Sequence, residues 1–316
     1  MFSENTRPST VILAAFTCLL WSTTFVSAKI ALQYVPPLLL AGMRFTLAGL
    51  LLLPFCLKPS RYWRALWANR GTVFLLGFIQ AFLTHVFYFI GLDMVPGALA
   101  AIVLGSSPLF TSVVAHFFMP RDTMSRGKTI QLMIGMLGVV IISLSREPWS
   151  SAGFREFLGV LLLCAACITT AFASVLVARK THEINPVVLN SFQLLIGGPM
   201  LLLLSLPFDR LPDSTPPPEF FLSLFWMALV SAAGFSIWFL LLHRPGIRVS
   251  HLEFWKFIIP VIGATIAWLI LPDESPSFWP VVGMVCVAAA IAASNLPVKQ
   301  PVPVKPAPGK RPARIP

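Results

Sequence analysis

Apolar positions in this chain run in long blocks, not in alternation. A helix needs roughly 20 mostly apolar residues to cross a bilayer. Ten blocks approach that length: 10–32, 35–57, 72–92, 97–119, 128–145, 156–178, 186–206, 219–242, 250–271 and 277–296. The links between them are mostly short. The first block is too long, and its basic leader too thin, for a cleaved signal peptide. The pattern predicts an all-α integral membrane protein with ten transmembrane helices. Two stretches fall outside the blocks. Pro59–Arg70 (PSRYWRALWANR) sets Trp63 and Trp67 one turn apart among arginines, which reads as a short helix lying in the membrane interface. Beyond Asn295 the chain turns rich in Pro, Lys and Arg, and an extended, disordered tail is expected.

Charge then orients the blocks. The net charge is +11, yet charged residues are only 11% of the 316. A soluble domain carries about 25%. That scarcity excludes a soluble globular enzyme, and 57% hydrophobic residues exclude a disordered regulator. Sorting Lys and Arg by alternate links puts 17 on the side of the N-terminus and tail, and 3 (Arg146, Arg155, Arg210) on the other. Membrane proteins keep such an excess in the cytoplasm, so both termini are predicted to be cytoplasmic. Eight acids, among them Asp93, Glu156 and Asp273, fall on the opposite side. The positive charge is therefore a cytoplasmic collar, and nucleic acid is not an expected partner. The five cysteines all lie in apolar stretches and read as reduced thiols.

The two halves echo each other. In 97–122 (GALAAIVLGSSPLFTSVVAHFFMPRD), Pro108 is followed twelve residues later by Pro120 and then by Asp122. In 249–274 (VSHLEFWKFIIPVIGATIAWLILPDE), Pro260, Pro272 and Glu274 repeat that spacing. Pro37 precedes Arg44 by seven residues, as Pro186 precedes Gln193. Five blocks per half is an odd number, so the second copy would enter the membrane inverted. Inverted repeats belong to secondary transporters that hold substrate near the midplane. The expected organisation is a cytoplasmic N-terminus at 1–9, a five-helix repeat at 10–145, an extracytoplasmic linker at 146–155, a second repeat at 156–296 and the tail at 297–316. Pro108 and Pro260 would break the fourth and ninth helices, making them candidate cavity walls.

Ionisable groups deep in the blocks are costly, and the candidates among them are Lys29, Arg44, His85, His116, Glu253 and Lys256. Arg44 lies about 12 Å into its helix at 1.5 Å per residue. It can hold an anionic group such as a carboxylate, or pair with backbone carbonyls freed by a proline. Glu253 and Lys256, three apart, share a helix face and are expected to form a salt bridge, with Lys256 able to snorkel toward the cytoplasmic end. Glu253 is also a coupling candidate. His85, with Tyr88 one turn on, is the second coupling candidate, or a bond to a neighbouring helix. Trp21 and Trp238 are candidate aromatic walls. Cys164-Ala-Ala-Cys167 lacks a second ligand pair, so no metal site is expected. No phosphate-binding glycine loop or hydrolytic signature occurs, and no cofactor is expected.

The segments WSTTFVSAKIAL, Pro37 with Arg44, VPGALAAIVLGSSPLFTSVVAHFF and GMLGVVII, followed by a second copy, resemble the drug/metabolite transporter superfamily, EamA type. The resemblance covers residues 10–296. It implies two inverted five-helix units around a central cavity, and carriage of a small organic solute, often outward. It also implies a bacterial cytoplasmic (inner) membrane location. Family members often carry Gly after the first-span Trp, where this chain has Ser22. They often have Gly-Glu after the fourth span, where it has Pro120-Arg121-Asp122. Glu253 and Lys256 replace small or apolar residues. The expected function is a secondary transporter, in such families often an exporter, of a metabolite, amino acid or drug. The expected partners are that solute and membrane lipid. Small residues in the fifth and tenth blocks can serve contacts within a protomer or a homodimer. The alternatives are an intramembrane lipid-modifying enzyme or a non-transporting membrane protein. Short loops count against both.

Overall fold

The computed structural model describes residues 7–56, 59–95, 100, 103–120, 122–144, 153–181, 183–208, 215–259, 261–262, 265 and 278–295. These residues are helical with short connections, and none of them is in a strand. The helices are α1 (Pro8–Ala31), α2 (Pro37–Leu52), α3 (Pro59–Leu76), α4 (Thr84–Met94), α5 (Ser107–Phe118), α6 (Arg126–Leu144), α7 (Phe154–Lys180), α8 (Pro186–Phe208), α9 (Pro218–Leu242), α10 (Val249–Glu253) and α11 (Phe278–Asn295). Six stretches are long and apolar enough to cross a membrane, from Pro8–Ala28 to Pro218–Leu242. The protein is thus an all-helical, multi-pass membrane protein.

Proline sets several starts. It stands at the first helical position of α1, α2 and α9, where its missing N–H is one of the orphans anyway. Asn69 leaves helical geometry at φ −118° and ψ 18°. That kink separates the Trp63–Trp67 segment, both indoles more than half exposed, from the apolar helix that follows. The helix expected at 59–70 is present, and the kink at Asn69 lies one residue before its expected end.

Two departures from regular helix were not expected from the pattern. Between α3 and α4 the chain widens into a π-helix at Gly77–Leu83. After α10 it tightens into a 3₁₀ turn at Phe254–Phe257. The break expected at Pro108 falls at Ser106, and Pro108 opens α5 in its first turn. Pro260 and the tail after Asn295 lie outside the described residues.

The packing is pairwise. α2 lies along α8, α6 along α11, α1 along α9, and α4 along α7. α8 also meets the π-helix, and α9 meets α2. In lipid there is no hydrophobic drive between helices, so small residues that admit close backbones hold such pairs. A Cβ at Gly198 of α8 would lie 2.6 Å from the Thr46 backbone nitrogen of α2. A Cβ at Gly138 of α6 would lie 2.6 Å from the Gly283 carbonyl of α11. The fifth and tenth blocks thus spend these glycines within one protomer.

Candidate functional site

The helix pairs bring four of the sequence-selected residues together. Trp21 projects from α1 toward α9. Gly234 makes room for it, since a Cβ there would approach the indole Nε1 to 2.7 Å. Trp21 packs on Trp238 with ring centroids 5.2 Å apart. Glu253 closes α10 and Lys256 stands one turn on, in the 3₁₀ segment. They form an ion pair at 2.7 Å, with the Glu253 side chain fully buried and Lys256 15% exposed. Ser174 of α7 donates its hydroxyl to Glu253 Oε1 at 3.2 Å. The Lys256 ammonium also lies 5.6 Å from the Trp21 ring and 5.0 Å from the Trp238 ring. It is thus held by one carboxylate and two π-faces, not directed outward along the helix. Ser22, beside Trp21, donates to the Ile259 carbonyl at 3.4 Å and ties α1 to the segment after the 3₁₀ turn.

A second group gathers Arg44, His85 and Tyr88. Arg44 stands on α2, with its guanidinium 4.4 Å over the neighbouring Phe45 ring. It lies within electrostatic reach of Tyr88 and His85 on α4. Its Nε is buried without a hydrogen-bond partner, and no ion pair to it occurs among the described residues. His85 meets Phe45 edge-on at 4.5 Å. The π-helix ends immediately before this group. There the Thr84 hydroxyl bonds back to the Ile79 carbonyl at 2.8 Å and to Thr169 of α7 at 2.8 Å. π-turns recur at functional sites because they re-aim the side chains that follow.

Phe235 of α9 joins the two groups. It lies 5.6 Å from Trp21 and 6.5 Å from Phe45. Behind it, buried Asn190 of α8 donates to the Ala232 carbonyl at 2.9 Å and to Ser236 at 2.9 Å, and accepts from Gln193 at 3.0 Å. Gln193, marked in the sequence only by its spacing from Pro186, therefore supports α9 through Asn190. Phe235, Ser174 and Asn190 were not singled out by the sequence. They are ordinary membrane-helix residues, and only their partners distinguish them.

The remaining candidates lie elsewhere. Pro108 is buried in the first turn of α5, which packs on α7 and α10. His116, exposed in the last turn of α5, accepts from the Met124 amide at 3.2 Å. Cys164 and Cys167 are free thiols, and no cluster that could hold a metal occurs among the described residues. Asp122, the acid of the repeated proline pattern, is 2% exposed. It accepts from the Ser250 amide at 2.8 Å, from the Ser250 hydroxyl, and from Lys128 at 2.9 Å. It thereby clasps the start of α10 to the link between α5 and α6.

Known proteins share this architecture. The EamA-like transporter family model matches residues 8–144 and again 157–296. An uncharacterized transporter of Bacillus subtilis, YvbV, is 25% identical over 92% of each chain. A Chlamydia trachomatis protein named as an S-adenosylmethionine/S-adenosylhomocysteine transporter is 24% identical over 84% of this chain and 83% of its own. A crystal structure described only as that of a protein superposes with a TM-score of 0.78 at 21% identity, over 91% of this chain and 97% of that one. With the family model matched twice along nearly its whole length, this chain belongs to the EamA-like transporter family.

Proposed function

We propose that this protein is a secondary transporter of a small organic solute, with ten spans in two inverted five-helix units. It works by alternating access around a central cavity, with both termini cytoplasmic, in a bacterial inner membrane. One observation carries the reading. The helix pairs are unchanged when each span is exchanged for the span five places on. α2 with α8 and α6 with α11 map onto themselves, while α1 with α9 maps onto α4 with α7. Two like units related by an axis in the membrane plane pack in this way, and carriers of this design bind substrate between the units. The separate family matches over 8–144 and 157–296 support the same division.

In this reading Trp21, Phe235 and Trp238 wall the cavity, Arg44 contacts solute, and Glu253 and His85 serve proton coupling. The likeness to the chlamydial carrier favours a metabolite over an inorganic ion. Outward movement is the proposed direction. The test is flux of radiolabelled amino acids, nucleosides, organic cations and carboxylates in liposomes carrying the purified protein. Flux above empty liposomes is expected for at least one class. Folded protein that moves none of them refutes the reading.

A further inference from the structure

The charges inside the spans do not cancel. Away from the block ends, the sequence places three cations, Lys29, Arg44 and Lys256, and one acid, Glu253, within the spans. Glu253 is committed to Lys256 at 2.7 Å. Arg44 has no ion pair among the described residues, and its buried Nε has no hydrogen-bond partner. A guanidinium cannot escape the cost of burial by losing its proton at any ordinary pH. A lasting positive charge with no carboxylate partner among the described residues, beside a chain of aromatic rings, marks where an anion would be stabilised.

The geometry also says which kinds of ligand fit. The guanidinium fork matches the two oxygens of a carboxylate. From Arg44 the rings continue through Phe45 and Phe235 to Trp21, in centroid steps of 6.5 and 5.6 Å. Phe45 is fully buried, whereas Phe235 and Trp21 are partly exposed, and their faces suit a flat or apolar body. At the far end the two indoles are already occupied by the Lys256 ammonium, at 5.6 and 5.0 Å. A cationic ligand would compete with Lys256 for those π-faces and would meet Arg44 as a like charge. We propose that this transporter carries an organic monocarboxylate with a flat apolar body. Its carboxylate sits on Arg44 and its body on Phe235 and Trp21. This rests on the carrier reading above and separates the chain from carriers of sulfonium or ammonium solutes.

The experiment uses the full chain and three probes: indole-3-acetate, its neutral analogue indole-3-acetamide, and S-adenosylmethionine. Binding is read by tryptophan fluorescence in detergent, and flux in liposomes against empty vesicles. The carboxylate should bind about a hundredfold more tightly than the amide, as two charge-assisted hydrogen bonds allow. Arg44→Gln should erase that difference. Arg44→Lys, which keeps the charge but not the fork, should recover only part of it. Equal binding of acid and amide by the unaltered protein, preferential binding of S-adenosylmethionine, or a preference that survives Arg44→Gln would overturn the inference and leave the carrier standing. Selective binding of the carboxylate with no flux of any probe class would sustain the anion site and sink the carrier.

Discussion

The ion pair between Glu253 and Lys256 makes a sharp test of how this interior is held. The perturbations are Glu253→Gln, Lys256→Met and the two together. At 2.7 Å and an effective dielectric of about 20, the gross attraction is about 6 kcal/mol. Much of that only offsets the cost of removing both charges from water. Glu253→Gln keeps an oxygen for the Ser174 hydroxyl but leaves the Lys256 ammonium facing two indoles with no anion. Lys256→Met leaves a fully buried carboxylate without its cation. Each single change should cost about 3–5 kcal/mol. The double variant removes both charges, and the Met thioether can rest on the indoles. It should fall within about 1 kcal/mol of the parent, because neither charge is then stranded. The assay is unfolding in mixed micelles titrated with SDS, followed by tryptophan emission. A double variant that loses the sum of the two single losses, within about 0.5 kcal/mol, would show the groups to be independent and refute the argument.

Other changes separate tight from loose contacts. Gly138→Ala should destabilise by about 1–3 kcal/mol in the same assay, since its new methyl meets the Gly283 carbonyl at 2.6 Å. Gly71→Ala, with nothing within 4 Å, should be near neutral, and a similar loss at both would refute the packing account. Asp122→Ala removes the acceptor of the Ser250 amide and of Lys128, so amides of residues 249–253 should exchange with deuterium faster. Unchanged exchange there would contradict a capping role. Arg155→Ala breaks a pair to Asp93 whose side chains are 71% and 78% exposed. It should shift stability by less than about 1 kcal/mol, and a larger loss in the SDS titration would reveal a contact beyond this pair.

Much of the candidate site was legible because burial in lipid makes polar residues conspicuous. Arg44, Glu253 and Lys256 stood out by rarity alone, and the spacing of three predicted the ion pair that forms. Trp21 and Trp238 were named among many aromatics. Nothing in their local sequence says that they meet each other, since α1 and α9 are remote along the chain. Lys256 was expected able to reach toward the cytoplasmic end and instead lies across both indoles. Snorkelling is a solution for an isolated helix, and a packed neighbour offers another. Asp122 was noticed as part of a repeated spacing, whereas its clasp on Ser250 depends on how α5 meets α10.

The sequence by itself determined a membrane protein whose helices are long apolar runs, because a bilayer demands that every backbone group be satisfied within its own segment. Block length and the distribution of Lys and Arg are local quantities, so helix position and predicted orientation could be read residue by residue. Only the tertiary structure decided which helices pair, where the helix widens at Gly77–Leu83, and which buried cation has no ion pair among the described residues. Those outcomes follow from close contacts such as Gly198 on Thr46 and Gly138 on Gly283, made between residues far apart in the chain. In lipid such fits carry the specificity that the hydrophobic effect supplies in water, and no single segment contains both surfaces of a fit.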